Sequence, residues 1–280
     1  MKIINALSEG NLILEKNLIK TARLDTEILM SNVINKDRKY IILNSNKKLV
    51  PDLYNSFMDL IKQRSKGKPV AYLVRKKDFW KYQFQLNENT LIPRPDTELI
   101  IENFLKITKF KSRLKILDIG VGSGCILLSI LKEKKDFYGT GIDISKKCIN
   151  IANLNALNLG LLNRTKIVKS DIDNFNYGKY DVIISNPPYI KKFSLKYLDR
   201  DVVNFEPKQA LDGGVEGTSE IRKVINKSSE LIKKNGKLIL EIGFDQKNKT
   251  KKLLTNKGFY INKIIKDYAN NDRCIISTKI

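Results

Sequence analysis

The spacing of apolar positions changes twice along the chain. Over residues 1–60 it is helical. Leu7, Leu12, Leu14 and Leu18 sit among polar residues, and Leu24, Ile28, Leu29 and Val33 fit the stripe of an amphipathic helix. Pro51 and Asp52 open a further helix, DLYNSFMDLIKQRSKG, which Gly67 closes. Over residues 69–92 the interval shortens to two. Val70–Val74 and Phe79–Leu86 read as strands, with Tyr82, Phe84 and Leu86 on one face, so a β-hairpin is predicted. Pro93 and Pro95 stiffen the loop TLIPRPDTE, where Asp96 or Thr97 is placed to cap the helix ELIIENFLKI.

From Leu114 onward strands and helices alternate. KILDI (115–119), FYGTGID (137–143), KIVKSD (166–171), YDVIISN (180–186) and KLILEIG read as strands. CILLSILKEK (125–134), KKCINIANLNALNLG (146–160) and SEIRKVINKSSELIKKNG read as helices, the last two closed by Gly160 and Gly236. This order predicts an α/β fold, an open and mainly parallel sheet with helices on both faces. Three segments follow: a helical bundle over 1–68, a hairpin linker over 69–92 and an α/β domain over 93–280. No internal repeat or low-complexity stretch interrupts them.

Composition narrows the chemistry. The 280 residues include no histidine, which removes Ser-His-Asp and Cys-His catalysis and any His-ligated metal site; no metal is expected. Cys125, Cys148 and Cys274 are too far apart in sequence to suggest a disulfide framework or a CxxC site. With no apolar run long enough to span a bilayer and no signal-peptide pattern, a cytoplasmic protein is expected. Lys and Arg (52) outnumber Asp and Glu (30), a net charge of +22. Such an excess suggests a polyanion partner. However, 42 of the bases are Lys, Ile (37) and Asn (27) are also abundant, and the charge is spread along the whole chain. Drift toward AT-rich codons accounts for that pattern.

Two loops carry candidate chemistry. The first reads Asp118-Ile-Gly120-Val121-Gly122-Ser123-Gly124, between a strand and a helix. Its glycines let the backbone approach a ligand, and the helix behind them offers unpaired N–H groups. The spacing is G-x-G-x-G, with Cys at 125, so the dinucleotide fingerprint G-x-G-x-x-G fails. Asp143 closes the next strand, where a carboxylate can accept both ribose hydroxyls of a nucleoside. Asp171 closes the third, near where an adenine amino group would lie. The constellation D-x-G-x-G-x-G…D…D resembles class I S-adenosylmethionine-dependent methyltransferases.

The second loop follows the fourth strand: Asn186-Pro187-Pro188-Tyr189. In an open α/β sheet ligands bind beyond the carboxyl ends of strands. The Asn186 side-chain carbonyl and the Pro187 backbone carbonyl can each accept one N–H of a planar NH2. Tyr189 can cover its flat face, and Pro-Pro keeps the turn rigid. Catalysis there is positioning plus electrostatics and needs no strong base. The loop alone does not choose between adenine and a glutamine side chain.

GKPVAYL (67–73), DFW (78–80), TLIPRPDTE (90–98), SNPPYI (185–190), FEPKQALDGG (205–214) and DYANNDR (267–273) occur in this order. With the helical N-terminal region they resemble the HemK/PrmC family, the peptide chain release factor glutamine N5-methyltransferases, over essentially the whole chain. The resemblance implies a Rossmann-like class I methyltransferase domain preceded by a helical substrate-docking domain and a hairpin linker. It implies S-adenosyl-L-methionine as donor, S-adenosyl-L-homocysteine as product, and the glutamine of the Gly-Gly-Gln motif in class I release factors as target. By position, Gly120, Val121, Gly122, Ser123, Gly124, Asp143, Asp171, Ile172 and Asn186 would bind the cofactor. Asn186, Pro187, Pro188, Tyr189 and Arg94 would contact the substrate, with Asn186, Pro187 and Tyr189 catalytic. Family members commonly carry Thr at the place of Val121 and an aromatic residue at that of Ile172; where they have Thr-Gly this chain has Val74-Arg75. Arg94 suits either a carboxylate of a ligand or a brace for its own loop. Glu206 is expected to support structure, Trp80 to belong to the hairpin core and Cys125 to pack within its helix. A monomer is expected, with no membrane and no stable nucleic-acid binding. The competing readings are a ribosomal-protein glutamine methyltransferase, an N6-adenine methyltransferase of nucleic acid, and a basic binding module with an inactive cofactor loop.

Overall fold

Two compact units divide the chain in the computed structural model, which describes all residues from Met1 to Ile280. The first comprises Met1–Lys76 together with Asp199–Phe205, the second Lys77–Leu198 and Glu206–Ile280.

In the first unit α1 (Ile3–Lys16), α2 (Ala22–Ile34), α3 (Arg38–Leu43), α4 (Pro51–Ser65) and the single turn α5 (Val70–Leu73) surround a core of Ile3, Leu14, Leu29, Met30, Phe57 and Ile61. Part of the expected stripe faces outward: Leu12, Leu18 and Leu24 are exposed. The face of α2 that turns inward carries Asp25 and Glu27 instead, each bound by arginine. Asp25 accepts from Arg64 Nε at 2.7 Å, and Glu27 accepts from Arg38 and Arg23. Paired charges can take buried positions that an apolar pattern assigns to leucine. Gly67 stops α4 as expected, at φ +98°. The strand predicted over Val70–Val74 is α5, because Pro69 starts a helical turn there.

The second unit opens with a hairpin, β1 (Lys76–Phe79) and β2 (Tyr82–Gln85), turned at Trp80 with φ +57°. Trp80 donates through Nε1 to Glu133 at 3.0 Å, and Phe79 and Phe84 are buried edge to face. Then follow α6 (Glu98–Ile107), β3 (Lys115–Ile119), α7 (Cys125–Glu133), β4 (Tyr138–Asp143), α8 (Lys146–Asn158), β5 (Thr165–Lys169), β6 (Tyr180–Ser185), α9 (Arg200–Phe205, counted with the first unit), α10 (Ser219–Leu231), β7 (Ile232–Glu241), α11 (Lys247–Asn256), β8 (Phe259–Lys266) and β9 (Asp272–Lys279). Helix α10 ends at Leu231, short of Gly236. The segment Ile-Lys-Lys-Asn-Gly instead enters β7 through a bulge opposite Asp181, with Asn235 at φ +63°.

The seven strands lie in the order β5-β4-β3-β6-β7-β9-β8, and only β9 runs against the rest. Successive strand residues face opposite layers. Ile116, Val182, Ile184, Ile239 and Ile276 join the core shared with α6, α7 and α8. Leu117, Ile183, Leu238, Leu240 and Ile275 join the core shared with α10 and α11. Strands buried on both faces read as continuous apolar runs, as parallel strands under helices must. The order reverses between β3 and β6, so a crevice opens beyond their carboxyl ends.

Candidate active site

Strand register brings the sequence motifs to one rim. Ile142, Ile119, Ser185 and Leu240 are paired neighbours across β4, β3, β6 and β7. One residue further along each strand come Asp143, Gly120, Asn186 and Glu241, which therefore form a row at the carboxyl ends. Cys274 faces Glu241 from β9.

The glycine loop is held by its backbone. The N–H groups of Gly120 and Val121 donate to the Ile142 carbonyl at 2.9 Å, and Gly122 N–H donates to Asp143 Oδ2 at 3.0 Å. Gly120, Gly122 and Gly124 all have positive φ, at +78°, +54° and +82°. A side chain at Gly120 would meet nothing within 4 Å, whereas one at Gly124 would strike Leu128 Cδ1 at 2.8 Å. Gly120 thus borders open space, and Gly124 lets α7 pack close. Asp143 also accepts from Ser145 N–H at 2.9 Å through Oδ1. Each of its oxygens keeps a lone pair for a ligand hydroxyl, and burial holds its pKa above the usual range.

Beneath this loop Asp118 is 1% exposed, and neither of its carboxylate oxygens meets a donor at hydrogen-bond geometry. Burial pushes its pKa up to about 7. An orphaned acid under a glycine cradle with free space suits a ligand that carries positive charge and nucleoside hydroxyls. Asp171 lies two residues beyond the end of β5, exposed, its Oδ1 accepting from Asp173 N–H at 2.9 Å; Ile172 packs against the α10–α11 core.

The second loop is held by side chains. Asn186 donates through Nδ2 to Thr97 Oγ1 at 3.1 Å, and no protein donor takes its Oδ1. The Pro187 carbonyl accepts no backbone hydrogen bond. Tyr189 donates to Glu241 Oε1 at 3.2 Å, and Arg273 lies over its ring with the guanidinium carbon 6.0 Å from the centroid. Burial and the Glu241 carboxylate both raise the Tyr189 pKa, so its phenol stays neutral. Arg273 is fixed by Asp267, 3.0 Å from Nη2, and donates to the Ile242 carbonyl. Beyond the loop, Gln246 Nε2 donates to the carbonyls of Tyr189 at 2.7 Å and Gly217 at 2.9 Å. Gly213 has no room for a side chain, which would sit 2.8 Å from Tyr189 Cα.

Thr97, expected as a helix cap, makes no cap hydrogen bond to α6; its hydroxyl serves Asn186. Arg94 donates through Nη2 to Glu206 Oε1 at 2.6 Å, and Glu206 Oε2 accepts from Ile92 N–H at 3.3 Å. That pair braces the IPRPDTE loop, the supporting role expected of Glu206. Cys125 is buried at the start of α7. Glu241, Arg273 and Gln246 carried no assigned role in the sequence. Arg273 lies inside a motif quoted for the resemblance, but its target residues are 84 and 6 positions away.

The seven-stranded sheet with its two rim loops has the Rossmann-like methyltransferase fold. Consistent with this, the structure superposes on a ribosomal protein L11 methylase from Lactobacillus delbrueckii subsp. bulgaricus with a TM-score of 0.53 at 16% identity, over 73% of this chain and 90% of that one. Residues 95–203 match the methyltransferase small domain, and residues 5–74 match the PrmC N-terminal domain. The release factor glutamine methyltransferase of Clostridium acetobutylicum is 34% identical over 100% of this chain and 99% of its own length. That of Buchnera aphidicola subsp. Baizongia pistaciae is 36% identical over 100% of both. The chain belongs to the release factor glutamine methyltransferase family. No helix is long and apolar enough to cross a membrane.

Proposed function

We propose that this protein transfers a methyl group from S-adenosylmethionine to the side-chain amide nitrogen of the glutamine in the Gly-Gly-Gln motif of class I release factors. The observation that carries the reading is the row of Asp143, Gly120 and Asn186 at the carboxyl ends of adjacent strands. It sets a nucleoside-type cradle beside two free carbonyl acceptors. When bound, S-adenosylmethionine supplies an electrophilic methyl on a sulfonium.

Every other contribution comes from the chain. Gly120 to Gly124 give main-chain contact, Asp143 accepts ribose hydroxyls, and Asp171 and Ile172 flank the adenine. Asn186 Oδ1 and the Pro187 carbonyl each accept one N–H of the substrate amide. This draws electron density onto a nitrogen that resonance makes a poor nucleophile, and it holds the nitrogen in line for attack. Pro188 and Tyr189 wall the pocket. Arg94 faces the same loop, and its bond to Glu206 leaves donors for a substrate carbonyl. The same two acceptors would hold the surplus amide proton after transfer, until it passes to water. A histidine-free chain suffices.

The helical residues 1–68 dock the protein substrate, residues 69–92 link them to the catalytic domain 93–280, and the enzyme works as a cytoplasmic monomer. The full-length relatives do not favour the ribosomal-protein or adenine alternatives. Incubation with S-adenosylmethionine and a purified release factor, followed by peptide mass spectrometry, should show one added methyl on the Gly-Gly-Gln glutamine. Methyl transfer to a ribosomal protein or an oligonucleotide, with that glutamine unmodified, would overturn the reading.

A further inference from the structure

Glu241 takes no part in the mechanism above, yet it ends β7 in the same row as Asn186, 1% exposed. Tyr189 donates to its Oε1 at 3.2 Å. The Thr97 hydroxyl faces the same carboxyl, whose buried Oε2 is an unfilled acceptor with no hydrogen-bond partner. Thr97 is also the partner of Asn186 Nδ2, at 3.1 Å. The four side chains come from three segments: Thr97 before α6, Asn186 and Tyr189 after β6, and Glu241 at the end of β7.

An amide must present the correct end to its substrate. If Asn186 Oδ1 is to accept a substrate N–H, its NH2 must point the other way, toward an acceptor. A threonine hydroxyl has one hydrogen to give and two lone pairs. An ionised carboxylate can only accept, so it takes the Tyr189 hydroxyl hydrogen, and its unfilled Oε2 draws the Thr97 hydroxyl hydrogen toward itself. Thr97 then has only lone pairs left for Asn186. We propose that Glu241, acting through Thr97, is the positioning residue that fixes which end of the Asn186 amide faces the substrate. The proposal rests on the glutamine-methylation reading for its kinetic consequences, but the orientation itself can be observed without it.

Protonation would undo the device. A neutral Glu241 carries its own O–H, which can donate to Thr97. The Thr97 hydrogen is then free to turn toward Asn186 Oδ1, and the amide flips to present NH2 to the substrate. Burial raises the Glu241 pKa to about 7. The groups facing it are the Tyr189 and Thr97 hydroxyls, the Arg273 guanidinium held by Asp267, the Asp96 carboxylate and the buried Cys274 thiol, with Arg94 beyond Tyr189.

The test compares wild type with Glu241→Gln, Thr97→Val and Thr97→Ser. In release-factor methylation, wild-type kcat should fall as pH drops through neutrality. Thr97→Val should lower kcat about ten-fold at alkaline pH, the worth of one well-placed hydrogen bond, and Thr97→Ser should restore most of it. Glu241→Gln should lower kcat similarly and abolish the acid limb. Cofactor affinity should stay within about two-fold throughout. Independently of turnover, the Asn186 side-chain NH2 resonances, assigned by their loss in Asn186→Ala, should shift with pH in wild type and stay fixed in Glu241→Gln. Overturning results are an unchanged acid limb in Glu241→Gln, wild-type kcat in Thr97→Val, a parallel loss of cofactor affinity, or an Asn186 signal that ignores pH. If wild type leaves release factor unmethylated, the functional reading fails, and the resonance titration still decides the orientation.

Discussion

The loops after β3 and β6 sit one strand apart on the same rim and work by opposite means. The loop after β3 uses main chain. Three glycines at positive φ turn the loop N–H groups onto the Ile142 carbonyl and Asp143 and leave open space at Gly120; of its two acids, Asp118 opens the motif and Asp143 ends the neighbouring strand, 21 residues from Gly122. The loop after β6 uses side chains, and nearly all that hold it come from elsewhere. Thr97 is 89 residues from Asn186, Glu241 is 52 from Tyr189, and Gln246 is 57 from the Tyr189 carbonyl it binds. A backbone cradle is encoded by one glycine loop and the end of the strand beside it. A directional acceptor needs an external frame to choose its direction.

That contrast can be broken by a crossed pair of substitutions. Asn186→Ala should lower kcat about a thousand-fold while cofactor affinity changes by no more than about three-fold, because the lost interaction acts mainly on the developing transition state. Gly122→Val should do the reverse. A side chain at φ +54° strains the cradle and fills it, so cofactor affinity should fall about thirty-fold with kcat at saturation near wild type. Titration calorimetry alongside steady-state kinetics separates the two signatures. Matching effects on both parameters would mean the loops are not divided in this way.

A smaller effect sharpens the account of the cradle. Asp118 binds its proton more tightly folded than unfolded, with a pKa near 7 against an ordinary 3.8. The Asp118 contribution to stability should therefore be most favourable below about pH 4, fall as pH rises toward about 7 and level off above. Asp118→Asn removes the titrating group and its slope. At about pH 8 it should exceed wild type by about 2 kcal/mol in denaturant unfolding without cofactor, and by much less near pH 4. Stability would then be what the site gives up to keep a carboxyl there. Equal stability at both pH values would show that Asp118 is not a strained acid.

The same difference explains what could be read from sequence. The alternating strands, the parallel sheet, the glycine loop and NPPY are local patterns, and the structure reproduces them. The errors fall where a distant partner overrides the pattern. Leu12 and Leu24 are exposed while Asp25 is buried on Arg64, which no apolar repeat could signal. Thr97 looks like a cap, since it precedes a helix, but its hydroxyl is taken by Asn186. The last turn of α10 looks helical through Gly236, but Ile232 pairs with Tyr180 and begins β7. Glu241 ends a strand of apolar residues, where a lone acid suggests only the strand's exit to solvent. Its burial between Tyr189, Thr97 and Arg273 appears only when four separate segments converge.

The most direct test of the account follows the target nitrogen itself. A release factor labelled with nitrogen-15 only at glutamine side chains shows two N–H correlations for the Gly-Gly-Gln amide. After reaction with this enzyme and S-adenosylmethionine, those two should collapse to one, on a nitrogen coupled to a new methyl group. Survival of both correlations while the protein gains a methyl elsewhere would contradict the claim that the Asn186–Pro187 acceptors present an amide nitrogen for methylation.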